Sequence, residues 1–210
     1  MNDADIDPED RIRESMDVVE ELVNLPEKGV PSSMIRKAEG IIIIPKIVKA
    51  GFIIGGRHGK GIALIKGEDG SWSHPLFVKI TGGSLGWQVG VQKIELLLVF
   101  RDRETVISVA DGEFEIGADA SVTAGPVGRS ASAGTNAKLE AEIYSYSRSK
   151  GLFVGISLDG AKLSTAEDQN KQFYGRKEIE AEMIFNNKVS AHPELLSELK
   201  AKLRKLANNN

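Results

Sequence analysis

Ile12, Met16, Val19 and Val23 recur at spacings of four, three and four, with Leu22 beside them. That is the apolar stripe of one helix. Asp7-Pro8 ahead of it reads as an N-cap followed by proline at the first helical position. The pattern stops near Asn24, before Pro26 and Gly29. A shorter helix is predicted from Pro31 to Ala38, stopped by Gly40. At the far end His192-Pro193-Glu194 opens a helix whose Leu195, Leu199, Leu203 and Leu206 form a stripe. Its acids Glu194 and Glu198 come early and Lys200, Lys202, Arg204 and Lys205 late, in the sense the helix macrodipole favours.

Between these helices the pattern shortens to strands. Ile41–Ile44, Gly51–Gly56, Gly61–Lys66, Ser71–Ile80, Ser84–Val91 and Ile94–Phe100 are β-rich runs separated by Gly, Pro or Asp. Gly67-Glu68-Asp69-Gly70 reads as a hairpin turn, and Arg101 to Ala110 as a short helix. Strand texture returns at Glu113–Thr123, turns at Ala124-Gly125-Pro126, and resumes at Leu139–Ser147 and Leu152–Leu158. Short strands at this spacing predict an α+β fold: a curled, largely antiparallel sheet or barrel with the terminal helices packed on it. The regular strand–helix alternation of a doubly wound sheet is missing. Residues 1–7 read as a disordered acidic tail, and 8–207 as a single domain.

Charge changes the picture in one place. The chain carries a formal net charge of −3, which argues against a general nucleic-acid binder. Yet from Gly40 to Gly67 it holds Lys46, Lys49, Arg57, Lys60 and Lys66 and not one carboxylate. With no cysteine, thiol chemistry and cysteine metal sites are excluded. The N-terminus has no secretory pattern, and the apolar run 41–54 is broken by Pro45, Lys46 and Lys49, short of the about 20 residues a bilayer span needs. The expectation is a cytoplasmic protein, with any membrane contact peripheral at the inner face.

Catalytic constellations find little support. Gly55-Gly56-Arg57-His58-Gly59-Lys60-Gly61 lacks the spacing and the hydroxyl of a nucleotide loop. It reads as a hairpin, or as an anion-binding turn built on Arg57 and Lys60. The histidines His58, His74 and His192 have no ligand spacing, and Ser71 and Ser73 near His74 sit in no elbow motif. Asp111, Glu113, Glu115 and Asp119 suit a polar strand face better than a divalent ion. No enzyme, cofactor or metal is predicted.

Several blocks together resemble the SYLF domain family. They include Lys49-Ala50-Gly51-Phe52, the turn Gly70-Ser71-Trp72-Ser73-His74-Pro75, Gly82-Gly83-Ser84-Leu85-Gly86, Ala124-Gly125-Pro126-Val127-Gly128-Arg129, Tyr144-Ser145-Tyr146-Ser147 and Gly155-Ile156-Ser157-Leu158-Asp159-Gly160. The resemblance spans about residues 8–205, in family order, and suggests a single-domain bacterial member. It implies non-catalytic binding of anionic phospholipid, of phosphoinositide type in eukaryotes, or alternatively a protein-interaction module of the actin-binding kind. For the lipid reading Lys46, Lys49, Arg57 and Lys60 are expected to supply the charge, and Phe52 or the Ile47/Val48 pair an apolar contact. Residues 9–21 hold six acids against Arg11 and Arg13, so the first helix should not insert into an anionic bilayer. The competing reading is a strand edge whose lysines deter edge-to-edge pairing.

Overall fold

The computed structural model describes residues 6–25, 29–51, 54–85, 92–112, 114–128, 141–189 and 191–209; the side chains at 49–51, 54, 55, 84, 85 and 92 lie outside the description. Helix α1 (Pro8–Val23) is capped as predicted, the Asp7 carboxylate accepting from the Glu9 amide. It is followed by α2 (Ser32–Arg36), β1 (Gly40–Gly51), β2 (Ile54–Ile65), β3 (Leu76–Leu85), β4 (Gln92–Phe100) and α3 (Arg103–Asp111). The chain continues through β5 (Phe114–Glu115), β6 (Val122–Ala124), β7 (Ile143–Ser149), β8 (Leu152–Phe153) and β9 (Lys162–Thr165). Helices α4 (Glu167–Tyr174), α5 (Ala181–Phe185) and α6 (Pro193–Ala207) end it.

One mixed sheet runs β5-β9-β3-β2-β1-β4-β7-β6, with β8 also on β7, and every pairing but β6–β7 is antiparallel. It curls into a half-barrel, and in the connection from β5 to β6, outside both strands, Ile116 forms an isolated bridge with Ala120. The fold is α+β, as the sequence pattern predicts. β1 is apolar at four consecutive positions because both its faces are covered: Ile41, Ile42, Ile43 and Ile44 are all 0% exposed. On the inner face the position of Gly40 abuts Val106 of α3. On the outer face Phe77 of β3 lies 5.2 Å from Phe173 of α4.

Two expectations need correction. The cluster Gly55–Gly61 is no hairpin and no anion-binding turn; it is the middle of β2, paired on both sides. Its glycines mark a bulge in β1 at Pro45, which has no amide to donate. There the Ile43 carbonyl projects so close to Gly61 that a Cβ would overlap it. Further along, the predicted strand Leu152–Leu158 shortens to β8, because residues 154–159 leave the sheet and cross toward β5 and β9. The sequence pattern also left 159–191 without elements, and β9, α4 and α5 lie there. Asn170 of α4 explains how so polar a helix is held: its buried amide accepts from the Phe77 amide at 2.9 Å and donates to the Phe77 carbonyl at 2.9 Å.

Candidate functional site

Antiparallel partners directly opposite each other put their side chains on the same side of a sheet. Lys46 of β1 pairs with Lys60 of β2, and Lys60 pairs with Lys79 of β3. Three lysines therefore stand in one row across three neighbouring strands, all partly exposed. The row lies on the outer face, because Lys60 and Lys79 are two residues from the opposed pair Ile62 and Phe77. A second row two residues along runs Lys93, Val48, His58, Thr81 and Lys162. His58, Lys93 and Lys162 are exposed, Val48 and Thr81 partly so. The helices cover the half of this face that begins at Ile62 and Phe77, leaving the half with the two rows accessible.

The field has a defined border. Arg148 of β7 pairs with Glu95 of β4, and its guanidinium bonds both Glu95 and Glu21 of α1. Those ion pairs hold its pKa above the ordinary arginine value, the Glu95 bond being the largest cause. At the other edge Lys162 stands opposite Glu115.

The other sequence-derived residues have different surroundings. Arg57 is 7% exposed and on the inner face, opposite Gly82. It donates to the Ser157 carbonyl at 2.6 Å and the Gly83 carbonyl at 2.9 Å. Burial lowers its pKa, and Asp159 opposes that shift. Arg57 thus ties the 154–159 segment to the sheet rather than joining the lysine rows. The backbone of Lys49 pairs with Arg57, three positions from Lys46 and so of opposite parity. Phe52, like the Lys49 side chain, lies outside the described residues. Lys66 donates to the Arg36 carbonyl at 2.7 Å and stands 4.8 Å from the Trp72 ring centre, closing the end of α2.

Candidate chemistry elsewhere resolves into backbone support. The Ser73 hydroxyl accepts from the Ile65 amide and donates to the His74 carbonyl. Asp119 accepts from the Glu115 amide at 2.7 Å. Among the described residues no group of three or more metal-ligating side chains assembles, and no helix is long and apolar enough to cross a membrane.

The model of the Ysc84 family, described as Las17-binding protein actin regulator, matches residues 81–206. The chain belongs to the Ysc84, or SYLF domain, family. "LAS seventeen-binding protein 3" of Saccharomyces cerevisiae is 34% identical over 170 residues, 80% of this chain and 37% of that protein. "SH3 domain-containing YSC84-like protein 1" of Xenopus laevis is 34% identical over 164 residues, 77% of this chain and 49% of that protein. The chain therefore spans less than half the length of these relatives. Their names describe binding proteins, which suits a non-catalytic role. Within this Ysc84-family fold the sequence located Lys46 and Lys60 but missed Lys79, Lys93, His58 and Lys162. Alternation placed each on a strand; only register could place them together.

Proposed function

We propose that this domain is a non-catalytic interaction module of the actin-regulatory kind, docking an acidic protein surface on the basic half of its outer sheet face. One observation carries the reading. Lys46, Lys60 and Lys79 stand directly opposite one another on β1, β2 and β3, and like charges so placed weaken a sheet. Lysines on an edge strand would explain themselves as a guard against aggregation, but these three strands are interior. A row that opposes stability and guards no edge is accounted for by an anionic partner. The relatives named for Las17 binding, and the family's description as an actin regulator, favour a protein as that partner.

Anionic phospholipid is the second reading, favoured by the partly exposed Val48 among Lys46, Lys93 and His58. At a membrane surface each cation contributes about 1 kcal/mol, so the rows would give reversible, salt-sensitive attachment.

Co-sedimentation separates the two, with actin filaments in one arm and vesicles in the other. The vesicle arm compares neutral phosphatidylcholine with mixtures carrying phosphatidylglycerol or a phosphoinositide. Filament binding that is lost in the triple variant K46E/K60E/K79E, with thermal stability retained, supports the protein reading. Binding to anionic vesicles alone, lost in the same variant, replaces it with the lipid reading. Wild-type binding to either partner that the triple variant keeps would remove the lysine rows from the function.

A further inference from the structure

Helix α1 runs across the strands. Its entry is tied to α4, the Gln169 side-chain amide donating to the Ile6 carbonyl at 3.4 Å, and α4 packs on β3 through Phe173 and Phe77. Near its other end Glu21 bonds Arg148 of β7. Between β3 and β7 stand β2, β1 and β4, so α1 passes over the same strands that carry Lys79, Lys60 and Lys46. Helix and lysine row therefore lie side by side on the outer face, and both cross the sheet.

The flanks of α1 differ. Glu9 and Glu20 face α6, where they pair with His192 at 3.1 Å and Lys202 at 2.6 Å. Arg13 leans the same way, toward Glu9 and Asp10. Glu14 and Glu21 lie on the opposite flank, toward the lysine half, which Glu21 borders through Arg148. Asp10 and Asp17, two turns apart and turned away from the buried Ile12, Met16 and Val19, are exposed.

An acidic ridge beside a basic shelf on one face is complementary to itself. Asp10 and Asp17 are seven residues apart, about 10 Å along a helix. Lys46 and Lys79 are two strand spacings apart, also about 10 Å. The ridge stands above the shelf by about one helix diameter, about 10 Å. No helix covers the shelf among the described residues, so the step has room for one from outside.

We infer that two copies of this chain associate about a two-fold axis along the boundary between ridge and shelf, α1 of each protomer lying on the lysine rows of its partner. Rotation about that axis keeps position across the strands and exchanges ridge for shelf, so both contacts form together. Lys60, set between like charges in its own sheet, gains the partner's carboxylates. The dimer covers the rows assigned to an acidic partner, so the two associations compete. Self-association does not itself rest on that assignment.

Sedimentation velocity of the full chain tests this. At about 50 mM salt the wild type should pass from monomer to dimer as concentration rises; at about 500 mM its dissociation constant should rise at least tenfold, because exposed charges are screened. D10K/D17K and K46E/K60E/K79E, checked for folding by circular dichroism, should each be monomeric at low salt. Asp17→Lys alone should weaken the dimer at least fivefold. Mixed in equal amounts, the two multiple variants should form a dimer, since the basic ridge of one meets the acidic shelf of the other. They also separate self-association from capture of an anionic partner: D10K/D17K should keep filament or vesicle binding, and K46E/K60E/K79E should lose it. Dimerisation without any capture by the wild type supports the dimer and sinks the anionic-partner reading. A wild type that stays monomeric at low salt, a dimer that persists in both multiple variants, a mixture that stays monomeric, or open-ended assembly in place of a dimer would overturn the inference.

Discussion

His74 is half-buried, and its Nδ1 has no hydrogen-bond partner. Burial lowers its pKa, and Lys200 adds to the effect; a backbone hydrogen bond involving Val189 partly opposes both. The sign of the stability effect follows from proton binding. Below about pH 6.5 the unfolded chain takes up a proton that folded His74 refuses, so stability falls as pH drops from there toward the lowered value. Above about pH 6.5 both states are neutral at this residue and it contributes no slope. Melting temperatures measured at about pH 7.5 and about pH 5.5 should therefore differ less in His74→Gln than in the wild type. An equal difference in both proteins would mean that the other titrating groups set the acid limb. The serine–histidine neighbourhood that looked like a weak catalytic hint is thus a stability feature, with both Ser73 contacts spent on backbone.

At the scale of elements, the β1–β2 pair decides where the lysines point. The register slips once, between Ile43 and Lys46. Upstream of the slip the outer positions are Ile41 and Ile43, facing Leu64 and Ile62; downstream they are Lys46 and Val48, facing Lys60 and His58. An unbulged β1 would carry 45 and 47 outward and turn Lys46 into the core, because a one-residue slip exchanges the faces of a strand. Glycine at 61 makes room for the bulge, with the Ile43 carbonyl where a side chain would begin. Gly61→Ala should cost about 2 kcal/mol or more by forcing that carbonyl aside. Denaturant unfolding measures it, and a cost within about 0.5 kcal/mol of zero would show that the bulge does not depend on this glycine.

For the molecule as a whole, charge is segregated. The outward acids of α1, among them Asp10 and Asp17, stand on one element, while the lysine rows stand on the uncovered half of the sheet beside it. Arg148 marks the join, bonded to Glu21 on one side and Glu95 on the other. Because Lys60 sits between two lysines, Lys60→Glu replaces two repulsive pairs by two attractive ones. It should raise stability by about 0.5–1 kcal/mol while weakening capture of an anionic partner. Loss of binding with a matching loss of stability would instead make Lys60 a structural residue.

Periodicity and capping alone determined α1, α6, the β-rich middle and the α+β class, because these depend on neighbours within a few residues. The deficit of carboxylates around Lys46 and Lys60 was legible for the same reason. Tertiary structure alone decided that Arg57 turns inward to bind carbonyls, that Lys66 closes α2, and that Lys79 and Lys93 complete the rows. It also decided that 159–191 folds as β9, α4 and α5, since helix α4 is held by Asn170 on Phe77, a contact 93 residues apart in the chain. Which face a residue takes depends on register, and register is set by a bulge and by strands distant in sequence; neither is written in the local pattern.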